Sequence, residues 1–197
     1  MELCHYDGMK KERVFQIEAI EIPIVYNHFG DHDPDGLLYV LKQDAERVRR
    51  EAREAFEQEI PQPAKSVKPL VLRANLGDRI VVHFSHSLRR NLSMHVQGLS
   101  YDVRTSDGAS VGNNPDTTTA SEITYCWCAD QEGVFLFSDM GDTRSGEEGT
   151  NVHGLFGAIV VEPPEAVWRD PESGEPIESG LFADIYPPGR PSFREYA

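Results

Sequence analysis

The sequence predicts an all-β chain, a sandwich or barrel of short strands with one helical insertion near its start. Three observations carry that expectation. Short apolar runs rich in Val, Ile, Phe, Tyr and Trp follow one another from residue 67 to residue 162. Turn-forming groups separate them, including Asn75-Leu76-Gly77, Ser106-Asp107-Gly108, Gly112-Asn113-Asn114-Pro115 and Glu132-Gly133. Helical periodicity is confined to residues 37–60.

Taken in chain order, residues 13–26 (RVFQIEAIEIPIVY) read as one or two strands, with Pro23 marking a break or an edge. The polar turn-forming segment 27–36 follows. Residues 37–60 read as a helix with a narrow apolar stripe of Leu41, Ala45, Val48, Ala52 and Ala55. Opposite charges four apart, as at Arg47/Glu51 and Arg53/Glu57, each add about 0.2–0.5 kcal/mol to such a helix. Small residues on the stripe suit a helix lying on a surface, and Pro61 and Pro63 end it. Strands are then expected at 67–73, 78–84, 91–97, 120–128, 133–138 and 155–162. Their short links favour antiparallel pairing over a parallel sheet. Beyond Glu162 the chain turns rich in Pro, Gly and acids, so residues 165–197 read as an extended connector.

Charge and length narrow the function classes. The chain has 197 residues, with 19 basic and 33 acidic side chains and a formal net charge of −14. Residues 1–101 are nearly balanced, whereas residues 102–197 hold 5 basic and 18 acidic groups. An acidic half argues against a nucleic-acid partner, whose phosphates need a basic surface. It tolerates cations. No apolar run approaches the roughly 20 residues of a membrane span. The opening residues lack the apolar stretch of a secretory leader, which makes the cytoplasm the default expectation. Three cysteines (Cys4, Cys126, Cys128) are too few for a disulfide framework and read as reduced thiols or small buried hydrophobes.

Three stretches together resemble the first cupredoxin domain of multicopper oxidases. ANLGDRIVVHFSHSL (74–88) leading to SMHVQGLSYD (93–102) is similar to that domain's Gly-Asp turn, strand and His-x-His-Gly strand. EGVFLFSDM (132–140) resembles its strand ending in a second His-x-His. HGLFGAIVVEPP (153–164) resembles its closing strand. The opening segment looks more like the large multi-domain members, a group that includes ceruloplasmin, hephaestin and bacterial manganese oxidases. The resemblance implies a Greek-key cupredoxin β-sandwich over residues 1–164, with the strand-plus-helix element 13–60 added to it. It implies copper in a larger oxygen-reducing assembly, and other cupredoxin domains or a partner subunit as neighbours. PSFREYA (191–197) resembles the first strand of a following domain.

The copper positions depart from the family pattern. Only His95 matches a ligand; Gln97, Ser138 and Met140 stand where the other three histidines are expected. No His-Cys-His-Met spacing for a mononuclear copper site occurs either. His95 is therefore either a lone ligand to a cluster completed elsewhere or a hydrogen-bonded core histidine. Cys126 and Cys128 share a strand face, as small core residues or as soft ligands with Met140 or His153 nearby. Asp31, Asp33 and Asp35 fit the start of a calcium loop, with His28 close by, but Lys42 occupies the twelfth position. The same acids serve equally as a solvated turn before a helix. The leading expectation is a structural cupredoxin domain of a larger oxidase, inactive alone. The alternatives are a copper-free module that binds a protein or a cation through its acidic half, and a metal enzyme using His95, His153 and the Asp31–Asp35 loop.

Overall fold

The computed structural model describes residues 11–109, 121–142 and 148–197. In chain order the first strands are β1 (Glu12–Glu21), β2 (Ile24–Val25), β3 (His32–Asp33) and β4 (Leu37–Leu41). A short 3-10 turn and helix α1 (Ala45–Phe56) follow. The main body continues with β5 (Leu70–Asn75), β6 (Arg79–His86), β7 (His95–Val96), β8 (Ser100–Tyr101), β9 (Glu122–Cys128), β10 (Gly133–Ser138) and β11 (Phe156–Glu162). The last elements are β12 (Val167–Arg169), β13 (Phe182–Tyr186) and β14 (Phe193–Tyr196).

Two sheets form the sandwich. One has the order β4-β1-β6-β9-β8 and the other β5-β11-β10-β7. Alternation along the strands sends one side-chain set inward from each layer. Phe15, Ile17, Ile80, Val82, Phe84, Tyr125 and Trp127 from the first layer meet Leu70, Leu72, Phe137, Ile159 and Val161 from the second. Tyr39 joins them, its ring edge-on to Phe84 and Phe137 at centroid distances of 5.7 and 5.6 Å. Such aromatic geometry adds roughly 0.5–1.5 kcal/mol per pair beyond the burial itself.

The sandwich class holds, but the purely antiparallel pairing expected from the short links does not. β1 runs parallel to β6, and β5 runs parallel to β11. Parallel neighbours need long crossovers. The β2–β3 hairpin and helix α1 lie within the first crossover, and the intervening strands β6 to β10 lie within the second.

The helical stretch is also shorter than expected. Leu37–Leu41 is a strand, paired with β1, and the helix begins at Ala45. Leu37, Leu38, Tyr39 and Val40 are buried on both faces, as an apolar run in a covered strand should be. The stripe of Ala45, Val48 and Ala52 packs on Ile20, Ile22, Leu38 and Val40. Arg47 and Glu51 pair at 3.5 Å, while Glu46 turns to Arg49 at 2.7 Å.

Residues 165–197, expected as an extended connector, contain three strands that pair with one another in the order β12-β13-β14. Trp168, Ala183 and Ile185 form a small core of their own with Ala166. β14 is the segment that resembled a following domain's first strand, and it pairs antiparallel with β13. The cysteines on β9 are not the two reduced thiols or small buried hydrophobes expected. Tyr125 and Trp127 face the core, which leaves Cys126 and Cys128 half-buried on the other face of β9. Cys126 is a free thiol, whereas Cys128 is disulfide-bonded. Cys4 also lies outside them. Among the described residues no helix is long and apolar enough to cross a membrane.

Candidate functional site

Two of the residues singled out, His95 and Ser138, come together at the ends of adjacent strands. β7 and β10 are antiparallel, with Val96 opposite Phe137 and His95 opposite Ser138. Val96 and Phe137 are buried in the core, so His95 and Ser138 project together from the outer face. The Gln97 backbone N–H donates to the Leu136 carbonyl at 2.9 Å, which extends the ladder by one step.

Only His95–Val96 of the expected 91–97 run is a regular strand, because side chains satisfy the backbone before it. The Ser93 N–H donates to Asp139 Oδ1 at 2.8 Å. The Ser93 carbonyl accepts from Tyr39 Oη at 2.5 Å, and the Met94 N–H donates to Tyr125 Oη at 3.3 Å. These bonds stand in for a strand ladder and still meet the requirement that buried backbone groups be paired.

Asp139, between Ser138 and Met140, is the hub of this region. It is fully buried. Its Oδ1 accepts from Ser93 N, Ser93 Oγ and Gly141 N at 2.8, 3.3 and 3.0 Å. Its Oδ2 accepts from Thr150 Oγ1 and Asp142 N at 2.6 and 3.2 Å. The carboxylate thereby fixes where β10 ends and how close it lies to β7. The same charge, together with burial, keeps the Tyr39 phenol protonated well beyond its usual range, burial being the larger cause.

His95 has a defined tautomer. Its Nδ1 lies 2.6 Å from the Asp107 carbonyl oxygen. A carbonyl oxygen only accepts, so Nδ1 carries a proton, and it is Nε2 that carries the lone pair in the neutral ring. A metal-binding imidazole is held in this way. The imidazole is one-fifth exposed. Asp107 is in turn fixed by Tyr101, whose hydroxyl donates to Oδ1 at 2.8 Å, and by the Ala109 N–H at 3.2 Å. Gly108 has φ +69°, and a Cβ there would stand 2.3 Å from the Met94 carbonyl oxygen. Only glycine lets the loop pass so close to β7. The preceding turn is pinned to β9, with the Cys126 N–H and the Trp127 indole donating to Ser106 Oγ and Ser106 O at 3.0 and 3.1 Å.

In the sequence Ser106-Asp107-Gly108 marks only a turn, and Asp139 has no role beyond its place in EGVFLFSDM. The Asp-Gly pair and the single carboxylate inside an aromatic strand end were the available signals.

The acidic loop at 31–35 is placed elsewhere. Asp31 Oδ2 accepts from Asn27 Nδ2 at 2.7 Å. Asp33 Oδ2 meets His153 Nδ1 at 2.6 Å, and Asp33 Oδ1 accepts from the Asp35 N–H at 2.9 Å. Asp31 and Asp33 thus have different partners, and the bond from Asp35 is a local Asx turn. His28 lies against Gln62 at 2.9 Å. His153 therefore joins Asp33 but not His95. Among the described residues no group of three or more His, Cys, Asp or Glu side chains is arranged to hold a metal ion. One imidazole with a hydroxyl, an amide and a thioether at the other positions does not fit a multi-imidazole copper centre.

A protein-family model described as multicopper oxidase matches residues 54–166. Among solved structures, a multi-copper oxidase from Pseudomonas thermotolerans is similar at 18% identity and a TM-score of 0.51, over 78% of this chain and 30% of its own. Another, a crystal structure of a multicopper oxidase, is 20% identical with a TM-score of 0.52, over 88% of this chain and 53% of its own. The chain thus spans about half or less of the length of these proteins, and at such identities the likeness is one of fold. A search of characterised proteins by sequence gives no match.

Proposed function

This chain belongs to the multicopper oxidase family, and from that premise we propose that it is an N-terminal cupredoxin domain of a larger multi-domain oxidase. In this reading residues 1–164 form the domain and residues 165–197 lead to its neighbour. Its role is to shape the assembly and to offer one imidazole, without retaining copper alone. The observation that carries the reading is the pairing of His95 with Ser138. The strand ends that would present imidazoles are in register, yet three of the four positions lack one.

The surroundings support a covered rather than a solvated face. Val134, Leu136 and Phe156 are 55, 58 and 43% exposed on the same outer face as Ser138. Apolar side chains clustered there favour a protein neighbour, for which we propose another cupredoxin domain of the assembly or a partner subunit. The parent reaction is an oxygen-dependent oxidation of a metal ion or small organic molecule. A disulfide-bonded Cys128 favours an oxidising compartment over the cytoplasm.

The test is copper analysis with optical and EPR spectra, on the chain alone and on a longer protein that carries the adjacent domains. The chain alone is expected to retain far less than one copper and to show no blue absorption, while the longer protein retains copper. Stoichiometric copper on the isolated chain refutes the reading.

A further inference from the structure

One buried charge cluster lies away from the His95 face and joins the sandwich to the C-terminal sheet. Arg73, in the middle of β5, is fully buried. Its Nη1 donates to Glu162 Oε1 at 3.3 Å and to Glu195 Oε2 at 2.6 Å, and its Nη2 donates to the Gly180 carbonyl at 3.2 Å. Glu162 ends β11, and Glu195 lies on β14. Both carboxylates therefore face the same guanidinium nitrogen, Glu162 buried and Glu195 about one-quarter exposed. Two carboxylates on one guanidinium carry one negative charge more than it offsets, and a proton on either carboxyl removes that excess.

We propose that Arg73, Glu162 and Glu195 form a proton-dependent latch that holds β14 against the sandwich while the carboxyl pair carries a proton and loosens it once that proton is lost. The proposal does not depend on copper or on the role assigned above.

The charged groups around Glu162 come from each element packed against it. Arg73 on β5 stabilises its ionised form. Glu195 on β14 and Glu132 in the β9–β10 turn oppose it. Arg190, in the β13–β14 loop, lines the same groove of about 520 Å³ as Glu132, Glu162 and Glu195. Burial is the largest effect and, with the neighbouring carboxylates, raises the Glu162 carboxyl from its ordinary 4.5 to about 7. A carboxyl with a raised value binds its proton more tightly in the docked state. Docking is therefore favoured at low pH, and that advantage is lost as pH rises through about 7. Other contacts keep the sheet from separating altogether. Leu181 and Ala197 pack on Val71, Ala158 and Val160, and Arg13 stacks over Trp168 at 4.9 Å.

The experiment is amide hydrogen exchange of residues 182–196, corrected for intrinsic rates, from about pH 5.5 to about pH 8.5, with β10 and β11 as internal controls. If undocking returns Glu162 to its ordinary value, linkage gives about a 30-fold loss of protection over that range. Glu162→Gln keeps the hydrogen-bonded shape without the titration, and its protection should stay constant. Glu195→Gln relieves the like-charge repulsion from the other side and should flatten the profile too. A wild-type profile that is already flat overturns the latch. A wild-type slope that persists unchanged in both variants overturns it as well.

Discussion

Replacing Asp139 by alanine tests whether a single buried carboxylate sets the geometry of the strand ends that carry His95 and Ser138. Five donors converge on it: Ser93 N, Ser93 Oγ, Gly141 N, Asp142 N and Thr150 Oγ1. Ser93 and Thr150 are fully buried. Each buried donor left without a partner costs roughly 1–3 kcal/mol. Water entering the space vacated by the carboxylate would recover part of that. An overall loss of about 3–5 kcal/mol is expected, a large share of the roughly 5–15 kcal/mol available to a domain. Asp139→Asn keeps the volume and one acceptor oxygen, and the Thr150 hydroxyl can turn to accept from the new amide. Its loss should be smaller, about 1–3 kcal/mol. Urea unfolding at constant m-value measures both. A loss below about 1 kcal/mol for Asp139→Ala would show that the carboxylate is not the organising group.

Three further outcomes are expected. Ser138→His places a second imidazole opposite His95, with Cβ atoms about 4.5–5.5 Å apart on one face. Copper(II) affinity by titration should rise at least about tenfold and fall back when His95→Ala is added; no rise would mean the two positions do not share a face. Gly108→Ala forces a Cβ to 2.3 Å from the Met94 carbonyl oxygen at φ +69°. It should cost about 2–4 kcal/mol and change the His95 tautomer seen by nitrogen NMR. Leu136→Asp lies on an exposed position, so thermal stability should stay within about 0.5 kcal/mol of wild type while association with the adjacent domains is lost. Retained association would show that the neighbour docks elsewhere.

Local pattern determined much of this protein. The β-branched and aromatic runs placed strands at 133–138 and near 70–75, 79–86, 122–128 and 156–162, because alternation and turn residues act over a few positions. The small-residue stripe of Ala45, Val48 and Ala52 gave the helix and its buried face for the same reason. The surviving His95, and its missing companions at Gln97, Ser138 and Met140, were also legible, since identity at a motif position needs no coordinates. Partner choice was not. Residues 37–41 look apolar in either a helix or a strand, and only the presence of β1 alongside makes them β4. The parallel pairings of β1 with β6 and β5 with β11 depend on which segment fills a sheet edge. The groups that decide the charged interior meet across the chain: Ser93 with Asp139, Asp33 with His153, and Arg73 with Glu195 across 122 positions. A carboxylate in a sequence carries no mark of whether water or a buried donor will face it. Burial is a property of the assembled layers, so the tertiary structure alone made Asp139 a hub and raised the Glu162 carboxyl above its ordinary value.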